Sequence, residues 1–200
     1  MKGGNEIMSS KSKPIIIMAI AILLLVVGFS AISMYNYRNV PEVEISESPF
    51  GIQWGADKES VESTMAAQGY QIKNTDAETP YRLVYILQDY QGLTGANGCV
   101  IFTFDEAFKV TEVLLQFTTP DYANGLCNAE DINNLYKGFY KSLNKKYEKM
   151  PYNALEGYEY WKGENLFTTM YYESSMAVVV LYTQNDTIAE RAEEMLNNNN

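Results

Sequence analysis

The sequence predicts an α+β fold: an N-terminal transmembrane helix, then one extracytoplasmic domain of two αβββ halves, with an antiparallel sheet on one side and helices on the other. Three observations carry this reading. Residues 14–37 contain no charged side chain. Beyond residue 50 the apolar pattern changes twice, in the same order, from a helical period of ~3.6 residues to the strand period of ~2. Each change is marked by helix-cap or hairpin residues.

Residues 15–35 supply 21 consecutive uncharged positions, which at ~1.5 Å per residue match the ~30 Å hydrocarbon core of a bilayer. Pro14 suits a first helical position, where its missing N–H breaks no bond. Lys2, Lys11 and Lys13 oppose the single Glu6. The positive-inside rule therefore makes residues 1–13 a cytoplasmic tail and places the chain beyond residue 37 outside the cell membrane. A cleavable secretory signal is the competing reading, since Ala31-Ile32-Ser33 offers small residues at a peptidase spacing. An apolar run extending to Phe29 and beyond favours a retained single-pass anchor, and either reading exports the same domain.

Residues 38–49 follow as a linker, because the stretch PEVEISESP is acidic, proline-bounded and without sustained periodicity. The folded domain then occupies residues 50–196. Its first half opens with a helix over residues 58–68, with Asp57 as N-cap, Val61 and Met65 on one face and Gly69 as the stop. Strands are expected over 81–88, 100–104 and 110–117, where Leu83, Tyr85, Leu87 and then Val113, Leu115, Phe117 alternate. The second half opens with a helix over 129–147. Asn128 caps it, and Ile132, Leu135, Tyr136, Phe139, Leu143 and Tyr147 form its apolar stripe. Strands over 156–161, 166–172 and 176–183 follow, joined by Gly163-Glu164-Asn165 and Ser174-Ser175. A last helix over 187–196, capped by Asp186, and a polar, disordered tail at 197–200 close the chain.

At the opening of the first half, Phe50-Gly51-Ile52-Gln53-Trp54-Gly55, five further residues and then Val61 resemble the signature of small exported bacterial domains of tandem helix-plus-sheet type. These include domains similar to β-lactamase inhibitory protein. The motif covers roughly residues 50–72, and the rest of the chain matches in the order of its elements. The resemblance implies a non-catalytic protein-binding module whose sheet presents aromatic side chains to a partner. It transfers no individual functional residue. Read from the residues alone, Trp54 packs at the entry to the first helix, with Gly51 and Gly55 allowing the turns around it.

From residue 36 onward the chain carries 12 Lys or Arg against 24 Asp or Glu, a formal charge of −12. Such a domain lacks the clustered cations that displace phosphate counterions, so nucleic acid is not an expected partner. Cys99 and Cys127 both lie in the exported part, which predicts a disulfide closing a loop of 28 residues. Loop entropy would make that bridge stabilising by ~3–4 kcal/mol. Two separate buried thiols are the alternative.

The 200 residues contain no histidine. That removes the commonest general base near neutral pH, the commonest zinc ligand and every Ser-His or Cys-His nucleophile. No glycine-rich phosphate loop or calcium loop occurs either, so no cofactor, no metal and no enzymatic activity are expected. A carboxylate pair remains chemically possible, with Asp105, Glu106, Glu156 and Glu159 nearest to strand ends.

Two features suggest binding. The second sheet concentrates aromatic residues, of which Tyr158, Tyr160, Trp161, Tyr171 and Tyr172 are the candidates. Tyr158 and Tyr160 share one face of their strand, and Glu159 and Trp161 the other, so these rings cannot all enter one core. An exposed set would be a hot-spot surface for a protein or a stacking surface for sugars, whereas half-covered strand formers would need no partner. The second feature is Lys137, Lys141 and Lys145, spaced by four on one helix face. It could meet an anionic partner, or serve as a solvated face that complements the helix dipole. The expected function is thus a membrane-anchored binding or scaffolding module with a protein partner in the cell envelope. The alternative is a domain that binds or cleaves cell-wall glycan through an aromatic sheet surface and a carboxylate pair.

Overall fold

The computed structural model describes residues 40, 42–74, 80–121, 125–150, 158–173 and 175–184. The expected cytoplasmic tail, the membrane helix over 14–37, the last helix over 187–196 and the tail at 197–200 lie outside the described residues. Among the described residues no helix is long and apolar enough to cross a membrane. The chain divides into two compact units, residues 1–40 and 41–200, and all described residues but Val40 belong to the second.

Among the described residues, two α-helices and one eight-stranded antiparallel sheet form this unit. Helix α1 spans Lys58–Ala67 and α2 spans Ala129–Lys146. The strands are β1 Ile72–Asn74, β2 Arg82–Leu87, β3 Gly98–Phe104, β4 Val110–Thr118, β5 Glu148–Lys149, β6 Tyr158–Lys162, β7 Phe167–Glu173 and β8 Ala177–Thr183. Their order in the sheet is β1-β2-β3-β4-β8-β7-β6-β5. Each half is therefore a helix followed by a four-stranded meander, and the two meanders join along β4 and β8 at the centre. The sequence predicted three strands per half. Strands β1 and β5 escaped it because three and two residues are too short to show alternation, and such short edge strands limit further strand pairing.

The two predicted caps that lie among the described residues form. Asp57 accepts a hydrogen bond from the Ser60 amide at 2.9 Å, and Asn128 accepts one from the Asp131 amide at 2.9 Å. Gly69, at φ +81°, ends α1 in the left-handed conformation, where only glycine is free of Cβ strain.

One cross-strand row shows how the sheet is built. Leu83, Phe102, Val113, Tyr182, Thr168 and Trp161 are successive partners from β2 to β6, and each is at most 2% exposed. This row and its neighbours pack with Val61 and Met65 of α1 and with Ile132, Leu135, Phe139 and Leu143 of α2 in a single core. Both helices thus lie on the same face of the sheet.

Residues 42–48 do not lead up to the domain as a linker. They form a strap that belongs to it, with Val43 1% and Ile45 8% exposed in the core. The Gln91 side chain clamps the Glu44 backbone through both its amide groups, accepting from the Glu44 N–H at 2.6 Å and donating to the Glu44 carbonyl at 2.9 Å. Lys146 Nζ donates to the Ile45 carbonyl at 2.7 Å, and Trp54 Nε1 to the Glu47 carbonyl at 2.6 Å. The acidic composition concealed this, because the alternation of Val43 and Ile45 between Glu42, Glu44 and Ser46 is only one turn of the strand period long.

Candidate functional site

Because a strand alternates, burying one set of residues against the helices sends the other set to the far face. Two successive rows define that second face. Val84, Ile101, Leu114, Leu181, Thr169 and Tyr160 are partners across β2, β3, β4, β8, β7 and β6, and Ile86, Cys99, Gln116, Val179, Tyr171 and Tyr158 form the row beside them. Val84, Ile86, Ile101, Leu114, Val179 and Leu181 are apolar yet only half-buried. Both described helices lie on the opposite face. The patch runs without a break from the first half of the domain into the second. At one end it meets a third row that carries Arg82, Glu112 and Lys162.

The aromatic candidates divide between the two faces. Trp161 is 1% exposed, donates from Nε1 to Asn144 Oδ1 at 2.9 Å and meets Tyr140 edge-on with ring centres 5.9 Å apart. It is a core residue. Tyr172 also faces the helices, stacked on Tyr136 at 4.0 Å and donating its hydroxyl to Asn133. Tyr158, Tyr160 and Tyr171 stand on the second face. There Tyr158 and Tyr171 pair at 4.8 Å, and Met150 packs against Tyr160 at the margin. The structure therefore brings three of the five rings together beside the apolar patch and removes Trp161 and Tyr172 from it.

No protein-family model, no curated protein and no solved structure matches this chain.

The lysine stripe is largely engaged within the domain. Glu42 of the strap pairs with Lys141 at 3.4 Å and with Lys145 at 3.1 Å. Hydrogen bonds and charge from these two lysines hold the Glu42 carboxyl below its ordinary range. Lys137 makes no ion pair among the described residues.

The cysteines correct an expectation. Both are free thiols, so the Cys99–Cys127 bridge is not formed. Cys99 stands on the second sheet face beside Gln116, whereas Cys127 is buried in the core and donates from Sγ to the Asn97 carbonyl at 2.9 Å. Strand alternation turns one sulfur away from the other. Burial raises both thiols above their ordinary range, Cys127 to about 11.

Of the carboxylates nearest to strand ends, Asp105 and Glu159 are occupied, and Glu106 is exposed. Asp105 accepts from the amides of Ala107 and Lys109 at 2.9 and 2.8 Å and so shapes its own turn. Glu159 is ion-paired with Lys149 at 2.6 Å. Glu156 lies outside the described residues.

The sequence did hold a signal for the apolar face. Leu83-Val84-Tyr85-Ile86-Leu87, Val113-Leu114-Leu115 and Ala177-Val178-Val179-Val180-Leu181 are apolar at consecutive rather than alternate positions. Strands of that kind bury both faces.

Proposed function

We propose that this chain is a membrane-anchored, extracytoplasmic binding or scaffolding module without catalytic activity, whose partner is a protein that docks on the sheet face opposite the helices. One observation carries the reading: a continuous apolar patch crosses β2, β3, β4 and β8, with tyrosines beside it and charged residues at its end. Half-exposed apolar surface of this extent, with a polar rim, is the composition of a protein interface. Tyr158 and Tyr171, which are half-buried, supply rigid contact area with a hydroxyl for hydrogen bonding, while Tyr160 beside them is buried. A glycan-cleaving role finds less support, since Asp105 and Glu159 already have partners that orient them.

The test uses the full-length chain, cross-linked in intact cells and purified from the membrane fraction, beside Leu114→Lys. Leu114 is half-buried, so a lysine can lift its ammonium to solvent while the strand persists. A defined protein should cross-link to the wild type and be lost from Leu114→Lys at an unchanged melting temperature. Retention of the same protein by that variant, or no cross-linked protein at all, would sink the proposal. Failure of the chain to stay in membranes after alkaline carbonate washing would remove the anchor from it.

A further inference from the structure

A cavity of about 390 Å³ opens on the helix side of the domain, between the strap and the body. Ser48 and Phe50 line one wall, Gln68 and Tyr70 at the end of α1 another, and Tyr90 and Tyr182 stand behind them. We propose that this cavity binds a single uncharged sugar ring. It is a different site from the sheet face and does not depend on it.

Volume limits the ligand first, since small-molecule sites run from ~300 to ~1,000 Å³. The value here is at the low end and suits one ring rather than a chain. Charge limits it next. Among the described residues no Lys or Arg lines the cavity, so an anion would be buried without a counter-charge from them. Glu44, the one charged lining residue among those described, is exposed, and its attraction for an organic cation is screened by solvent. What the walls offer is phenol and hydroxyl groups beside aromatic rings. Phe50 and Tyr70 meet edge to face at 5.4 Å and 87°, which forms a corner with an apolar side for the C–H face of a sugar.

The hydroxyls are placed to act as donors. Tyr90 OH accepts from Gln91 Nε2 at 3.0 Å, which leaves its own proton to give. Tyr182 is only 2% exposed overall and lines the back of the cavity, within reach of a ligand hydroxyl. A ligand hydroxyl there would replace water at the phenol with a direct hydrogen bond inside the cavity. Burial raises both phenols well above their ordinary range, so they stay protonated across physiological pH.

Backbone strain converges on the same place. Phe50 (φ 59°, ψ 16°) and Gln91 (φ 53°, ψ 32°) both occupy the left-handed region without being glycine, and both line the cavity. Strain of this kind persists where surrounding structure holds a side chain in a required position. The Gln68 amide, donating to the Phe50 carbonyl at 2.8 Å, and the Gln91 clamp on Glu44 are what hold these two.

The experiment is saturation-transfer NMR on the full-length chain in a detergent without sugar headgroups, with glucose and N-acetylglucosamine as probes and choline as the contrast. At least one sugar should receive saturation on its ring protons and choline none. Tyr182→Phe keeps the ring and removes only the hydroxyl, so it should weaken sugar binding at least tenfold and leave the urea midpoint unchanged. Phe50→Gly should also lose binding, with its backbone strain relieved. Transfer to neither sugar, transfer to choline alone, or wild-type binding by Tyr182→Phe would each overturn the proposal.

Discussion

Trp161→Ala separates the two readings of the aromatic strand most sharply. If Trp161 were a surface anchor, its removal would weaken a partner and spare the fold. The structure reverses that expectation, because the ring is 1% exposed and packed against the helix-side core. An indole buries roughly 200 Å², which at ~25 cal/mol per Å² amounts to ~5 kcal/mol. A compact unfolded state reduces this by ~10–40%. The edge contact with Tyr140 adds ~1 kcal/mol. The hydrogen bond to Asn144 adds little, since Asn144 is exposed and regains water when the indole is gone. The expected loss is therefore ~4–5 kcal/mol, at the upper end of buried Trp truncations and a large part of a typical domain stability of ~5–15 kcal/mol. Urea unfolding followed by far-UV circular dichroism should show a midpoint lower by roughly 2 M, for a slope of ~2 kcal/mol per M. Tyr158→Ala, on the other face, should cost only ~1 kcal/mol. A Trp161→Ala midpoint within ~0.5 M of wild type at equal slope would refute the register that sets Trp161 opposite Thr168 on the helix side.

Three further outcomes are expected. Val43→Asp places a charge in the core under the strap and should cost more than ~3 kcal/mol, read as loss of the native melt; a near-native melt would restore the linker reading. Glu42→Gln removes the partner of Lys141 and Lys145. The folded Glu42 pKa is depressed below 4.5, so its contribution is complete above that pH and fades as pH falls through the lower folded value. Carboxyl NMR titration should find this lowered value in wild type, and high salt should raise it toward 4.5, because the pair is exposed. Two free thiols should titrate per unfolded chain without reductant, and in the folded protein Cys127 should react much more slowly with alkylating reagents than an exposed cysteine, since the thiolate is the reactive form. Zero thiols without reductant would show the bridge that the structure lacks.

Much of the architecture was legible in local chemistry. Asp57 and Asn128 announced both helices because an N-cap needs only a side-chain oxygen three residues from a free amide. Alternation in Leu83-Tyr85-Leu87 and Val113-Leu115-Phe117 placed two of the central strands and the face that each buries. The free cysteines were not legible, because spacing along the chain says nothing about which face of β3 carries Cys99. Nor was the cavity, whose lining comes from the strap, the end of α1, the Tyr90 turn and β8, four segments far apart in sequence.

By itself, then, the sequence determined the two described α-helices, six of the eight described strands, their order and the division into two similar halves, because periodicity, caps and turns act within a few residues. It also ruled out histidine chemistry by composition. Only the tertiary structure decided that β4 pairs with β8 to make one continuous sheet, that residues 42–48 belong to the domain and that Trp161 is core while Tyr160 faces the other way. It also decided that an apolar patch spans both halves. Each of these depends on which distant strand supplies the neighbouring hydrogen bonds, and that choice is made by the burial of the whole sheet rather than by any one segment.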